Sequence, residues 1–350
     1  MKYGRSFCFK NENGIDVYLF GLRNSNDTEV LISNYGCIIK EFKFRTASGD
    51  IVDIVLGLEK MEDYLDEKYL QKYPYFGAAI GRYANRVSDA SFTIDGKLYK
   101  VSANKKPFQL HGGWEGFDRK VWDVIAFDNK KKFIEFQYVS KDGEEGYPGN
   151  LTVNLRYELN DDDELSYVYT ATTDQPTAIN LTHHSYFNLE NGGDILDHEL
   201  YINSVNILEQ DEDRISTGKM EQVIGTHFDF SQPAVIREKM DVKDGIDHSY
   251  EIHKNDNEEL SLAAKLFSPK TKLQLEVFTT EPVVHFYAGQ GIPPVTGKRK
   301  KTYGDYSGLC LETQVHPNAI NIPPFPETVL RPDETYFQKT VYRLFELPEK

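Results

Sequence analysis

The chain has 350 residues, and its 55 acidic against 40 basic side chains leave a formal net charge of −15. That balance argues against a nucleic-acid or anionic-membrane partner, because neutralising phosphates takes clustered Lys and Arg. Only three cysteines occur, Cys8, Cys37 and Cys310, without paired spacing, so neither a disulfide framework nor a Cys-based zinc site is expected.

Read in chain order, short apolar runs at Val30–Ser33, Ile38–Phe44 and Ile51–Leu56 predict strands. Met61–Tyr73 is the one stretch that reads as helix, and Pro74 would end it. Strands are predicted again at Phe133–Val139 and Leu165–Thr172. Between them Leu151, Val153, Leu155, Tyr157 and Leu159 alternate with Thr152, Asn154, Arg156 and Glu158. Further strands are expected at Leu262–Phe267, Leu273–Val277, Val283–Tyr287 and Thr340–Leu347. The polar stretches Asn160–Glu164 and Lys254–Glu259 suit hairpin loops, and the basic run Lys298–Lys301 suits a solvated surface loop. So many strands with so little helix predict an all-β protein, a large antiparallel β-sandwich forming one domain over residues 1–350. Aromatic residues, 13% of the chain, suit both a β core and the apolar faces of sugar rings. The N-terminus carries no apolar signal segment and no run of 18 apolar residues occurs, so a cytoplasmic location is expected.

Polar groups concentrate at the ends of apolar runs. Glu312 follows Leu309-Cys-Leu311, where apolar neighbours would raise its pKa and suit it to act as a base, although a salt-bridged glutamate is the plainer reading. His183 and His184 are adjacent in a predicted strand and so point to opposite faces, where they cannot chelate one metal ion well. His111 precedes Gly112-Gly113, where a backbone without side chains would let a ligand come close; a turn with a bystander histidine fits equally. Asn85 and Arg86 offer donors for vicinal hydroxyls, Arg82 reads equally as a structural ion-pair partner, and Asp247 is either a hydroxyl acceptor or an Asx-turn.

As an ordered set these segments resemble the aldose 1-epimerases. The similarity runs from about Gly36 to the C-terminus. It rests on Tyr75–Arg86, Leu110–Gly113 with Gly116–Asp118, Asp142–Gly149, Asn180–Leu189, Gly245–His248, Thr279–Pro282 and Cys310–Gln314. The resemblance implies a β-supersandwich, no cofactor and no metal, no protein partner, and interconversion of the α and β anomers of aldohexoses such as galactose and glucose. It implies Glu312 as base, His184 as acid, His111 as a second essential histidine, and Asn85, Arg86 and Asp247 as hydroxyl ligands. His183 stands where the family often has Asn. His285 stands where it usually has Gln and is carried over as a substrate-binding residue.

Mutarotation requires that the C1 hydroxyl lose a proton and the ring oxygen gain one, which a carboxylate and an imidazolium accomplish together. A bell-shaped pH–rate profile is therefore expected, its acidic limb from Glu312 and its alkaline limb from His184. Rival readings are a hexose 6-phosphate epimerase, which would want more Arg and Lys at the rim, a glycosidase built on two carboxylates, and a non-catalytic sugar-binding module.

Overall fold

A computed structural model describes residues 4–240, 245–254 and 260–348. A nine-stranded antiparallel sheet runs in the order Asp123–Asp128, Phe133–Ser140, Leu151–Leu159, Glu164–Thr173, Tyr336–Glu346, Leu273–Thr279, Ser261–Phe267, Glu199–Ile202 and Ala234–Val235. A six-stranded antiparallel sheet runs Tyr186–Phe187, Leu309–Gln314, Val283–Tyr287, Asp247–Glu251, Asn206–Gln210 and Ser216–Gln222. A five-stranded meander, from Arg5–Lys10 to Ile51–Asp53, adds Phe20, Val30 and Phe42 to the core that the larger sheet builds.

The period of two explains the sheet positions. In Leu151–Leu159 every odd residue is buried and every even one is partly exposed, and Leu155 sits opposite Phe136 and Tyr169 in the neighbouring strands. The turn after it is a hairpin as expected, with Asn160 Oδ1 accepting the N–H groups of Asp162 and Glu164. Of the second expected hairpin loop, residues 255–259 lie outside the described residues.

Three local expectations change. The helix expected over Met61–Tyr73 is split into a 3₁₀ turn, Glu62–Leu65, and a short α-helix, Glu67–Lys72. Asp66 divides them because it adopts extended geometry and its side chain caps the N–H of Lys68. Lys298, read as part of a solvated loop, is buried: its Nζ donates to Asp53 at 2.7 Å and to the Lys40 carbonyl at 2.8 Å. Gly112, expected to admit a ligand, instead admits the chain itself, since a Cβ there would lie 2.0 Å from the Gly81 carbonyl oxygen.

The strand Leu309–Gln314 differs from the others because all six residues are buried. Leu309 and Leu311 face the main core, and Thr313 Oγ1 meets Tyr167 and Thr340 of the larger sheet at 3.1 and 2.6 Å. Alternation therefore turns Cys310 and Glu312 the other way.

Candidate active site

The outward face of that strand forms the floor of a cleft of about 180 Å³, the scale of a single sugar ring. Glu312, His184, His111, Asn85, Arg86, Asp247 and His285 all line it. A larger groove of about 620 Å³ lies elsewhere, lined by Glu115, Arg119, Lys120, Lys141 and Glu144. None of those charged residues is buried, so that groove lacks a desolvated acid and base.

Glu312 and His184 meet at the floor, with Glu312 Oε1 3.5 Å from His184 Nε2. The other carboxylate oxygen, Oε2, is buried and has no partner among the described residues. Burial pushes the Glu312 carboxyl up to about 7, against lowering by His285 and Arg86. Burial likewise pushes the His184 imidazole down to about 3. Both groups therefore favour their neutral forms, with the proton on Glu312. His184 lies between the rings of Tyr75 and Tyr186, 5.6 and 5.0 Å away and nearly parallel. Its Nδ1 is 3.3 Å from Cys310 Sγ. A thiol donating to Nδ1 leaves the proton of the neutral ring on Nε2, the nitrogen that faces Glu312.

His111 lines the same cleft. Its Nδ1 accepts the backbone N–H of Asn85 at 3.2 Å, so its ring proton sits on Nε2. Burial, then the charges of His184 and Arg86, hold it well below the ordinary imidazole range. Its ring is 5.3 Å from that of His184. Asn85 uses its side-chain oxygen on the N–H of Arg86, which leaves its amide N–H groups without a partner among the described residues. Arg86 packs over Phe108, and its buried Nε has no partner. Donors without acceptors in a cleft mark where ligand oxygens fit.

Asp247 is fully engaged. Its Oδ1 is 2.7 Å from His285 Nε2, its Oδ2 accepts from Arg214, and His285 Nδ1 is 2.8 Å from Ser249 Oγ. Burial alone would raise the Asp247 carboxyl, but His285, Arg86 and Arg214 outweigh it and hold the group ionised. Sheet register makes this alignment: Ser249 pairs with His285, and His285 with Glu312.

Adjacent His183 points the other way. Its ring packs on Tyr157 and Tyr167, and its Nδ1 meets Ser185 Oγ at 3.0 Å. Arg82 also leaves the site, donating to Ser140, Lys141, Pro148 and Gly149 carbonyls; the Asp142–Gly149 segment thus wraps a buried guanidinium. His316 stacks on Phe325 beside Glu251, and Asn318 accepts from Ser88; neither lines the cleft. Sequence reasoning missed Tyr75, Tyr186, Tyr287 and Arg214 on the lining. Tyr75 and Tyr186 fell inside recognised segments and could have been found there, whereas Arg214 carries no local signal. The ligand atoms of His111, His184 and Glu312 lie within 4.8 Å of one another, a spacing that would suit one cation as well as a sugar oxygen.

A β-sandwich that buries a carboxylate against an imidazole under a monosaccharide-sized cleft defines an enzyme of carbohydrates working by proton transfer. More particularly, the chain belongs to the aldose 1-epimerase family, whose sequence profile matches residues 18–343. It is 40% identical over 321 residues to the galactose mutarotase of Sus scrofa, covering 90% of this chain and 91% of that one. Identity to the aldose 1-epimerase of Escherichia coli (strain K12) is 34% over 341 residues, 95% and 96% of the two chains. Among solved structures, an aldose epimerase homologue from C. elegans superposes with a TM-score of 0.87 at 26% identity, covering 94% of this chain and 99% of that one. The galactose 1-epimerase from Lactobacillus acidophilus gives 0.85 at 26% identity, covering 98% and 99%. Among the described residues no helix is long and apolar enough to cross a membrane.

Proposed function

We propose that the chain interconverts the α and β anomers of aldohexoses such as galactose and glucose. Glu312 is the base at the C1 hydroxyl, His184 the acid at the ring oxygen and His111 a second essential histidine. Asn85, Arg86 and Asp247 hold the remaining hydroxyls, and His285, whose two ring nitrogens meet Asp247 and Ser249, takes part in binding by holding Asp247. The observation that carries this reading is the buried Glu312–His184 pair on the cleft lining, with one carboxylate oxygen that has no partner among the described residues.

The pair shares one proton. A carboxylate beside an imidazolium carries the same number of protons as a carboxylic acid beside a neutral imidazole, so both belong to one macroscopic state. Glu312 takes the C1 hydroxyl proton while His184 gives its proton to the ring oxygen. The C1–O5 bond breaks, leaving an aldehyde, a neutral carboxylic acid and a neutral imidazole. Burial favours that discharged arrangement, so the desolvated site assists ring opening. Rotation about C1–C2 and the reverse transfers close the ring as the other anomer. In the opening step the bonds broken are C1–O5, the C1 hydroxyl O–H and the imidazolium N–H.

Of the basic residues on the lining, Arg214 is committed to Asp247 and Arg86 is buried over Phe108. That leaves Lys72 as the one exposed basic side chain on the lining without a carboxylate or ring to pack on, which is less than the cluster a sugar 6-phosphate would call for, Arg214 being exposed but paired with Asp247. One packed core running from Phe20 to Leu344 supports reading residues 1–350 as one domain. The charge and cysteine usage support a cytoplasmic location.

Polarimetry of freshly dissolved α-D-galactose and α-D-glucose tests the activity. The purified protein should speed the approach to equilibrium well beyond the buffer blank for at least one of the two sugars. Rates equal to the blank for both would reject the proposal.

A further inference from the structure

Arg214 stands at the tip of the hairpin between Asn206–Gln210 and Ser216–Gln222, at the edge of the six-stranded sheet and outside every segment that carried the family resemblance. The tip is closely made. Asp211 Oδ1 accepts the N–H groups of Asp213 and Ile215 at 3.0 and 2.9 Å, and the Asp211 carbonyl accepts the N–H of Arg214 at 2.9 Å. Arg214 itself sits in the left-handed region, with φ of 60°. This turn sends the guanidinium over the cleft mouth, where it donates to Asp247 Oδ2.

The consequence falls on Asp247. With His285 on one oxygen and Arg214 on the other, the carboxylate is fixed before any sugar arrives, and Ser249 fixes His285 in turn. A preset acceptor spares binding the entropy of ordering a free side chain. The guanidinium side chain is 47% exposed, so donors not used on Asp247 face the mouth, where hydroxyls of a bound hexose pass.

We infer that Arg214 is a positioning residue for the sugar: it sets affinity through Asp247 and leaves the proton transfers at Glu312 and His184 unchanged. This rests on the anomerase reading, but sugar binding can be measured without it. The test measures D-galactose affinity by titration calorimetry, and kcat and KM by polarimetry, for wild type, Arg214→Ala and Arg214→Lys. Losing one partly exposed charge-assisted hydrogen bond should weaken galactose binding and raise KM about tenfold in Arg214→Ala. Wild-type kcat and an unmoved pH profile are expected, and Arg214→Lys should recover most of the affinity because it restores the charge.

Binding within twofold of wild type in Arg214→Ala would overturn the inference. So would a fall in kcat as large as the rise in KM, or a lysine variant no better than alanine, which would mark the side chain as a structural prop. If wild type bound galactose but did not turn it over, the anomerase reading would fail, and the calorimetric series would still decide the role of Arg214.

Discussion

The strands Leu151–Leu159 and Leu309–Gln314 both place alternate residues on opposite faces, but they use the second face differently. In the first, alternate positions are Thr, Asn, Arg and Glu with access to solvent, so burial and polarity are separated. In the second, both faces are buried, and a glutamate with only 1% of its surface exposed lies at the cleft floor. In Leu151–Leu159 no buried side-chain nitrogen or oxygen lacks a partner among the described residues, whereas the site strand keeps Glu312 Oε2 unsatisfied. Adjacent His183 and His184 repeat the contrast at single-residue scale: one is locked among tyrosines, and the other meets the carboxylate.

The sharpest way to break the comparison is to exchange its consequences. Glu312→Gln should lower kcat by about 10²–10⁴-fold, the worth of one general acid–base group, while galactose binding measured by calorimetry persists. It should also stabilise the fold at high pH. A carboxyl raised from 4.5 to about 7 binds its proton more tightly in the folded state. Its stabilisation is complete below pH 4.5 and is lost as pH rises through 7. The variant escapes that loss, a gain of roughly 1–3 kcal/mol at pH 8 in chemical denaturation. Leu155→Ala should do the reverse, costing about 2–5 kcal/mol through the cavity it leaves, with kcat near wild type. A Glu312→Gln enzyme with wild-type kcat, or a Leu155→Ala protein of unchanged stability, would erase the distinction between the two strands.

Next in size, His184→Asn should lose about 10²-fold or more in kcat. His183→Asn should lose stability and only a few-fold in rate, by stopped-flow polarimetry and thermal melts on the same preparations. The opposite order would mean that the facing of the two rings is wrong. The smallest expected effect is that of Cys310→Ala. Without the thiol, Nδ1 of His184 can carry the ring proton, so kcat should drop several-fold with KM unchanged, and ¹⁵N NMR should show mixed tautomers. Cys310→Ser should keep the Nε2–H form; a tautomer unaffected by either change would remove the thiol from the account.

Much of the scaffold was legible because alternation reports burial directly wherever one face is wet. Leu151–Leu159 and Val283–Tyr287 have the predicted bounds. The short strands such as Ala79–Ile80 and Thr182–His183 are two residues long and have no period to read. The residues of the cleft were nameable only as an ordered set, since each alone had a structural explanation. For His183 that explanation is the one the structure shows; Arg82 is structural too, but it donates to backbone carbonyls where an ion pair was expected. Arg214 escaped because its position depends on a hairpin tip folding over the sheet, which local pattern does not encode. The limbs of the pH profile belong to the coupled pair and not to one group each, because burial moves Glu312 up and His184 down.

That shared proton is the centre of the account, and the wild-type pH–rate profile tests it most directly, with the blank subtracted at each pH and with EDTA present and absent. The prediction is a bell in kcat whose alkaline limb marks loss of the pair's one proton and whose acidic limb marks gain of a second. Glu312→Gln should abolish the alkaline limb, and the chelator should change nothing. A profile that keeps the same alkaline limb in Glu312→Gln, or activity that disappears with EDTA and returns with a divalent cation, would contradict it.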